Sequence, residues 1–376
     1  MRPSRKTLLV LAGAVATGVL AAVAVGPHPP RLGPERTGDA ALAARTLEAL
    51  GGAQGHRGVA VAWVEGGTVT TAGLGTTGRG GGPVDGDTPF ETGSVAKGLT
   101  GVLLADAVDR GEVRLDEPIG ALVPGTALAA SGTATLAEVA THRSGLPRLD
   151  PSPLATGRAA LAGLTASTPY SGDADDVLQA AGNAGAPGGA EPEYSNLGSA
   201  ALGDALAVRA GTTYEQLLAE RLTGPLGMTR TTVADDASEV PAGAARPVAG
   251  NGRAQDPWTA PGHAPAGIGP HSTAADLGTL AAALLDGSAP GAWALDPLVP
   301  YDDDGQQVGL AWFTDPADAE RGLPPVTWHN GGTGGTRTYV GLDREGGRAV
   351  VLLATGSDGV EAAGEALLAE AAGRRP

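Results

Sequence analysis

The chain has 376 residues, enough for one large or two modest domains. It is 42% hydrophobic but only 3% aromatic, so its core must be mostly Ala, Val and Leu. A net charge of −16 argues against nucleic acid and anionic lipid as partners, and the absence of cysteine excludes thiol catalysis, thiolate metal sites and disulfides.

In chain order, the first feature is a basic start, Arg2, Arg5 and Lys6, followed by an uncharged apolar run from Thr7 to Val25 that contains the small-x-small triplet Ala22-Val23-Ala24. Residues 1–26 therefore read as a secretory signal or, because about 20 apolar residues can span a bilayer, as an uncleaved anchor. Either reading puts the bulk of the chain outside the cytoplasm, secreted or held at a membrane by residues 7–25. Residues 27–38 form a Pro/Gly-rich linker, and residues 39–376 one folded domain. Asp39 to Leu50 predicts a helix capped by Asp39, with Leu42, Leu47 and Leu50 at helical spacing. Val59–Val64 and Thr68–Thr71 alternate like a hairpin around Glu65-Gly66-Gly67.

A Gly/Pro/Asp cluster, Gly78 to Asp87, leads into a helix opening at Ser94. It presents Val95, Leu99, Val102, Leu103 and Val108 and stops at Gly111. From about 113 to 264 short helical pieces such as Tyr214–Leu222 alternate with long Gly/Pro/Ala-rich loops. Ser272–Leu285 predicts a helix with Leu277, Leu280 and Leu284 inward. Gly309–Phe313, Thr336–Leu342 and Arg348–Thr355 read as strands, and Glu361–Ala372 as a closing helix. Strands near both ends and a helical middle predict an α+β fold. Its central antiparallel β-sheet is flanked by helices, and a helical subdomain (about 113–264) is inserted.

Only two lysines occur, Lys6 and Lys97; every other basic side chain apart from histidine is arginine. An amine can lose its proton inside a protein and a guanidinium effectively cannot, so Lys97, the one lysine beyond the N-terminal segment of an arginine-rich chain, marks a place where an amine is needed. Lys97 follows Ser94 by three residues, one helical turn away on the same face, within reach of activating the hydroxyl as a nucleophile. Two other patterns carry no chemistry. Gly73-Leu74-Gly75-Thr76-Thr77-Gly78 matches the dinucleotide fingerprint but runs into Arg79-Gly80-Gly81-Gly82-Pro83, which cannot open a helix, so it reads as a turn. No Gly-x-Ser-x-Gly elbow occurs, and the six histidines are scattered, so neither a metal nor a cofactor is expected.

Three further segments accompany Ser94-x-x-Lys97: Thr141-His142-Arg143-Ser144-Gly145-Leu146-Pro147, Glu193-Tyr194-Ser195-Asn196-Leu197-Gly198, and Trp328 to Gly335, the last placed just before a strand. In order and spacing they resemble the serine β-lactamase and penicillin-binding family, on the branch of class C β-lactamases, D-alanyl-D-alanine carboxypeptidases and related esterases. The resemblance runs from about residue 40 to 370. It includes the stretches Phe90–Lys97, Leu222–Met228 and Ala266–Leu277, and it implies a β-lactamase/transpeptidase-like fold. It implies that Ser94 forms an acyl-enzyme, that Lys97 serves as base or lowers the pKa of a neighbouring tyrosine, and that Tyr194 is that tyrosine and relays the proton. It implies that Asn196 bonds Lys97 and the substrate amide. His329 would tune the proton network and donate towards an acidic group of the substrate. Gly331 would keep the strand open, and the Gly332 N–H would complete an oxyanion hole with that of Ser94. His142 reads as structural. Asn330 stands where the family carries a hydroxyl residue, which puts carboxylate recognition in doubt; Arg337 could substitute but reads as a solvent-facing strand arginine. The expectation is an exported serine hydrolase acting on D-Ala-type peptides, β-lactams or carboxylic esters, with peptides or esters favoured over β-lactams. The alternative is a non-hydrolytic penicillin-binding or sensor domain of the same fold. The partner implied is a small-molecule or peptide substrate, with membrane contact only through the N-terminal segment.

Overall fold

The Glu65-Gly66-Gly67 signal folds as expected. Gly66 and Gly67, at φ +57° and +76°, make a two-residue turn that pairs Glu65 with Thr68, as a right-twisted hairpin requires. The computed structural model describes residues 28–373, so the reading of residues 1–26 as signal or anchor lies outside the described residues. Among those described, no helix is long and apolar enough to cross a membrane.

The chain begins with β1 (Arg36–Gly38), α1 (Ala40–Ala49), β2 (His56–Glu65) and β3 (Thr68–Gly75). Asp39 caps α1 through a 2.7 Å bond from the Leu42 N–H. β4 (Phe90–Glu91) leads to α2 (Val95–Asp109). The chain then passes through α3 (Ala127–Ser131), α4 (Leu136–Ala140), α5 (Pro153–Thr165), α6 (Ala174–Ala184), α7 (Asn196–Ala210) and α8 (Tyr214–Leu218). β5 (Thr232–Val233), β6 (Pro270–Ser272) and α9 (Ala274–Leu285) bring it back to the sheet. There it adds β7 (Val299–Pro300), β8 (Gln307–Val308), β9 (Phe313–Asp315), β10 (Val326–Gly332), β11 (Thr336–Asp343) and β12 (Arg348–Gly356), and it closes with α10 (Glu361–Ala372).

The main sheet has nine antiparallel strands in the order β1-β3-β2-β12-β11-β10-β9-β8-β7, and a small sheet runs β4-β6-β5. Both faces of the main sheet are covered. Val59, Val61 and Trp63 of β2 pack with Leu42, Leu352, Leu367 and Leu368 towards α1 and α10. The alternate residues Ala60, Ala62 and Val64 pack with Leu99, Leu277 and Val351 towards the other helices. The fold is therefore the expected mixed α+β architecture, and the sheet joins strands from both ends of the chain through the β2–β12 pairing.

Four sequence boundaries move. Residues 309–312 are not strand but a tight connection between β8 and β9, with Ala311 at φ +63°. Their apolar side chains plug the core instead, and the buried Trp312 indole donates to the Gly98 carbonyl of α2 at 3.2 Å. His329 lies in the middle of β10 rather than before a strand. Ser272 belongs to β6, so α9 begins at Ala274 behind the Thr273 cap. Gly73-Leu74-Gly75 ends β3, so only the second half of that fingerprint-like stretch is turn.

Candidate active site

Ser94 is the N-terminal boundary residue of α2, a helix whose residues Val95 to Ala107 are all buried. Its side chain makes no capping bond, so the hydroxyl is left free for chemistry. Lys97, one turn on, is fully buried, and its Nζ lies 2.8 Å from Ser94 Oγ and 2.8 Å from the Ala266 carbonyl oxygen. Among the described residues no carboxylate lies within ion-pair reach of Lys97. Burial, with a smaller push from the Arg148 charge, holds its pKa well below the usual lysine value. A neutral amine has two N–H groups and one lone pair. With one N–H on Ala266, the lone pair can accept the Ser94 proton.

Tyr194 stands on the other side of the hydroxyl. Burial raises the pKa of its phenol, against a smaller lowering by the Ser94 hydroxyl, so it remains protonated. Lys97 Nζ and the Arg148 guanidinium lie 5.0 and 5.2 Å from its ring centre, and the His142 ring packs at 4.5 Å. Ser195 caps α7 and donates to the Pro147 carbonyl at 2.7 Å, which ties Tyr194 to the segment after His142. His142 fits its structural reading: Nδ1 accepts the Ser195 N–H at 3.3 Å, and burial lowers its pKa to about 3.

The third wall is β10. A Cβ on Gly331 would fall 2.4 Å from the Thr92 carbonyl and 2.9 Å from the Ser94 nitrogen, and one on Gly93 would fall 2.7 Å from the Gly332 nitrogen. Glycine at these positions lets the strand press against the nucleophile turn, so Gly331 serves close approach to Ser94 as much as room for substrate. The Thr333 N–H donates to Thr336, so by antiparallel alternation the pair Gly332–Arg337 is not hydrogen-bonded and the Gly332 N–H points away from β11. β9 pairs with β10 only as far as Trp328, which leaves the edge from His329 to Gly332 open. The N–H groups of Ser94 and Gly332 thus share one corner, the geometry an oxyanion needs.

Residues 43–374 match the family model described as Beta-lactamase. The chain belongs to the beta-lactamase family. The D-alanyl-D-alanine-carboxypeptidase/endopeptidase AmpH of Escherichia coli (strain K12) is 36% identical over 149 residues, 39% of this chain and 37% of that protein, so the match spans little more than a third of the relative. The D-alanine carboxypeptidase AmpC from Burkholderia cenocepacia superposes with a TM-score of 0.67 at 25% identity, over 88% of this chain and 96% of that one. The class C beta lactamase from Rhodobacter sphaeroides has the same fold, with a TM-score of 0.69 at 21% identity over 87% of this chain and 97% of that one.

Within this beta-lactamase-family site three sequence expectations change. Asn196 does not bond Lys97: its Nδ2 donates to the Tyr170 hydroxyl at 2.9 Å, and the amine donates to the Ala266 carbonyl instead. His329 does not face the cleft. It is fully buried, donates through Nδ1 to the Asn330 carbonyl at 2.6 Å, and has its pKa lowered to about 3 by burial and then by Lys97. It sits on the Lys97 side of β10, while its strand neighbours Trp328 and Asn330 line the cleft. Arg337 is not solvent-facing. It is half-buried, donates to the Thr333 and Thr336 carbonyls at 2.9 and 2.8 Å, and lines the cleft with Ser94 and Tyr194. Asn330 also reaches the cleft, but its amide donates to Glu361 at 2.8 Å.

Three contributors escaped the sequence reading. Arg148 lines the cleft immediately after the quoted Gly145-Leu146-Pro147 segment, so that motif pointed at it. Ala266 acts through a backbone carbonyl, which leaves no side-chain signature. Glu91 is a buried carboxylate that accepts from the Trp258 N–H (2.6 Å) and the Thr333 and Thr336 hydroxyls (2.7 and 3.0 Å), pinning the β10–β11 turn beside the site. The scarce aromatics also gather here: Tyr194, Tyr301, Phe313 and Trp328 line one cleft of about 440 Å³.

Proposed function

We propose that this chain is an exported serine hydrolase that cleaves D-alanyl-type peptides ending in a free carboxylate, through an acyl-enzyme on Ser94. The observation that carries the substrate class is Arg337. In a chain of net charge −16, Arg337 and Arg148 both line the cleft, and among the described residues neither has a carboxylate within ion-pair reach. A guanidinium held this way matches a carboxylate. Asn330, in place of a hydroxyl residue, put carboxylate recognition in doubt, and Arg337 offers the cleft a fixed positive charge in its stead.

In this reading Ser94 Oγ attacks the scissile carbonyl while its proton passes to neutral Lys97. The oxyanion forms against the Ser94 and Gly332 N–H groups. The C–N bond breaks as Tyr194 gives its phenolic proton to the departing amine and recovers one from Lys97. Water then attacks the ester, losing a proton into the same pair, and frees Ser94. The test is kcat/KM for an acyl-D-Ala-D-Ala peptide, its C-terminal amide and a cephalosporin, in wild type and Arg337→Ala. A charge-assisted bond contributes about 1.5–3 kcal/mol, so Arg337→Ala should lower kcat/KM for the free acid by roughly 10- to 100-fold and leave the amide nearly unchanged. A wild-type enzyme that handles amide and acid equally overturns the substrate assignment. A cephalosporin far better than either peptide makes the chain a β-lactamase instead.

A further inference from the structure

Six large apolar side chains stand out as most exposed among the described residues, and four of them fall within Leu149–Leu164: Leu149 (41%), Leu154 (74%), Leu161 (58%) and Leu164 (75%). The last three lie on α5, whose residue spacing of seven and then three puts them along one side. α5 is a well-formed surface helix, capped by Ser152 with Pro153 in its first turn, yet Arg158 is its only charged residue. A contiguous leucine ridge in water is unfavourable, and such ridges mark an interaction face.

The start of the described chain lies beside this ridge. The His28 carbonyl packs so closely on Gly252 that a Cβ there would fall 1.7 Å from it. The next residue, Arg253, donates to the Leu164 carbonyl at 2.9 Å, and the Asp256 N–H bonds the Ala166 carbonyl at 2.9 Å. Val25, the last residue of the apolar run, is three positions before His28, at most about 10 Å of extended chain. A run that enters a bilayer would therefore bring the membrane to the face that carries Leu154, Leu161 and Leu164.

We propose that the α5 ridge is a membrane-docking face that seats the molecule on an electrically neutral lipid surface, with its leucines in the headgroup–acyl boundary. Interfacial helices of this kind sink about 5–10 Å below the headgroups. With a net charge of −16, apolar contact rather than charge holds the surface. Arg148 of the cleft directly precedes Leu149, so docking brings the cleft rim to the lipid surface. The proposal rests on the reading of Thr7–Val25 as membrane-inserted and is independent of the chemistry at Ser94.

The absence of cysteine makes a site-specific test direct. Leu161→Cys and, as an exposed apolar control outside the cluster, Val208→Cys are each labelled with an environment-sensitive fluorophore in the unprocessed full chain. The proteins are reconstituted into phosphatidylcholine vesicles. The expected result is a blue-shifted emission at position 161, quenched by shallow brominated lipid, with neither effect at 208. Unshifted emission at 161 overturns the proposal. So does a blue shift without lipid quenching: if it grows with protein concentration a second copy covers the ridge, and if not, the chain's own N-terminal run does. Leu154→Gln/Leu161→Gln/Leu164→Gln, read from a label at Leu149→Cys, should abolish the quenching while hydrolysis of a soluble substrate is retained.

Discussion

Lys97 Nζ lies 2.8 Å from the Ala266 carbonyl oxygen, although 169 positions separate the two residues. That bond takes one N–H of the amine and aims the rest of it at Ser94. It also accounts for Gly267, at φ +107°, where a Cβ would fall 2.0 Å from the Gly93 carbonyl and 2.8 Å from the Ser94 nitrogen. The amine, its carbonyl anchor and the nucleophile turn form one packed unit with no room for adjustment.

Removal of either reacting group should stop turnover. Ser94→Ala deletes one hydroxyl that makes no capping bond, so the melting temperature should stay near wild type while acylation, followed by mass spectrometry, disappears. Lys97→Arg puts a permanently charged guanidinium, with no lone pair to offer, where the amine stood, and should lower kcat/KM by about 10²- to 10⁴-fold, the usual span of general acid–base catalysis. Near-normal activity in Lys97→Arg would refute the amine's role.

Tyr194→Phe removes only the phenolic hydroxyl and keeps the packing on His142. Its stability should therefore hardly change, while both acylation and deacylation slow, by about 10²-fold or more in kcat. A fall of less than threefold in stopped-flow acylation would reduce Tyr194 to packing.

The pH profile separates the amine from the histidines. Burial, then Arg148, lowers the Lys97 pKa, so the neutral base is present above that depressed value and lost as pH falls through it. His142 and His329, each lowered to about 3 by burial, stay neutral across the working range. A plot of kcat/KM against pH should show one ascending limb, unmoved in His329→Gln. A limb that disappears in His329→Gln would transfer the base role to His329.

Asp204 of α7 supplies a stability prediction. It is buried, its Oδ2 has no partner among the described residues, and its pKa is raised well above 3.8 by burial first, then by Asp173 and Asp175. The folded protein thus holds this proton more tightly than the unfolded chain does. That contribution is full below the ordinary carboxylate range and is lost as pH rises through the raised folded value. Asp204→Asn, neutral at all pH, should raise the melting temperature at pH 8 relative to wild type and narrow the difference at pH 4. An Asn variant less stable at both pH values would show that the carboxylate is needed.

The sequence alone determined whatever is local. Ser94 and Lys97 share a helical face because three residues make nearly a turn. The β2–β3 turn is written in two glycines that tolerate positive φ, and Asp39 and the leucines of α1 specify that helix through capping and periodicity. The family resemblance pointed to Tyr194 and the Gly331–Gly332 pair, which the fold brings into one cleft with Ser94. Only the tertiary structure decided the rest. The apolar run Leu310-Ala311-Trp312 looks like strand, yet it turns because Trp312 finds its partner at Gly98, 214 positions earlier. Asn196 yields Lys97 to a backbone carbonyl, and any residue type carries a carbonyl. Arg337 enters the cleft because the β10–β11 register sets it opposite Gly332. Protonation was settled last: loss of water around them pushes Lys97, His142 and His329 towards their neutral forms, and burial depends on every long-range contact at once.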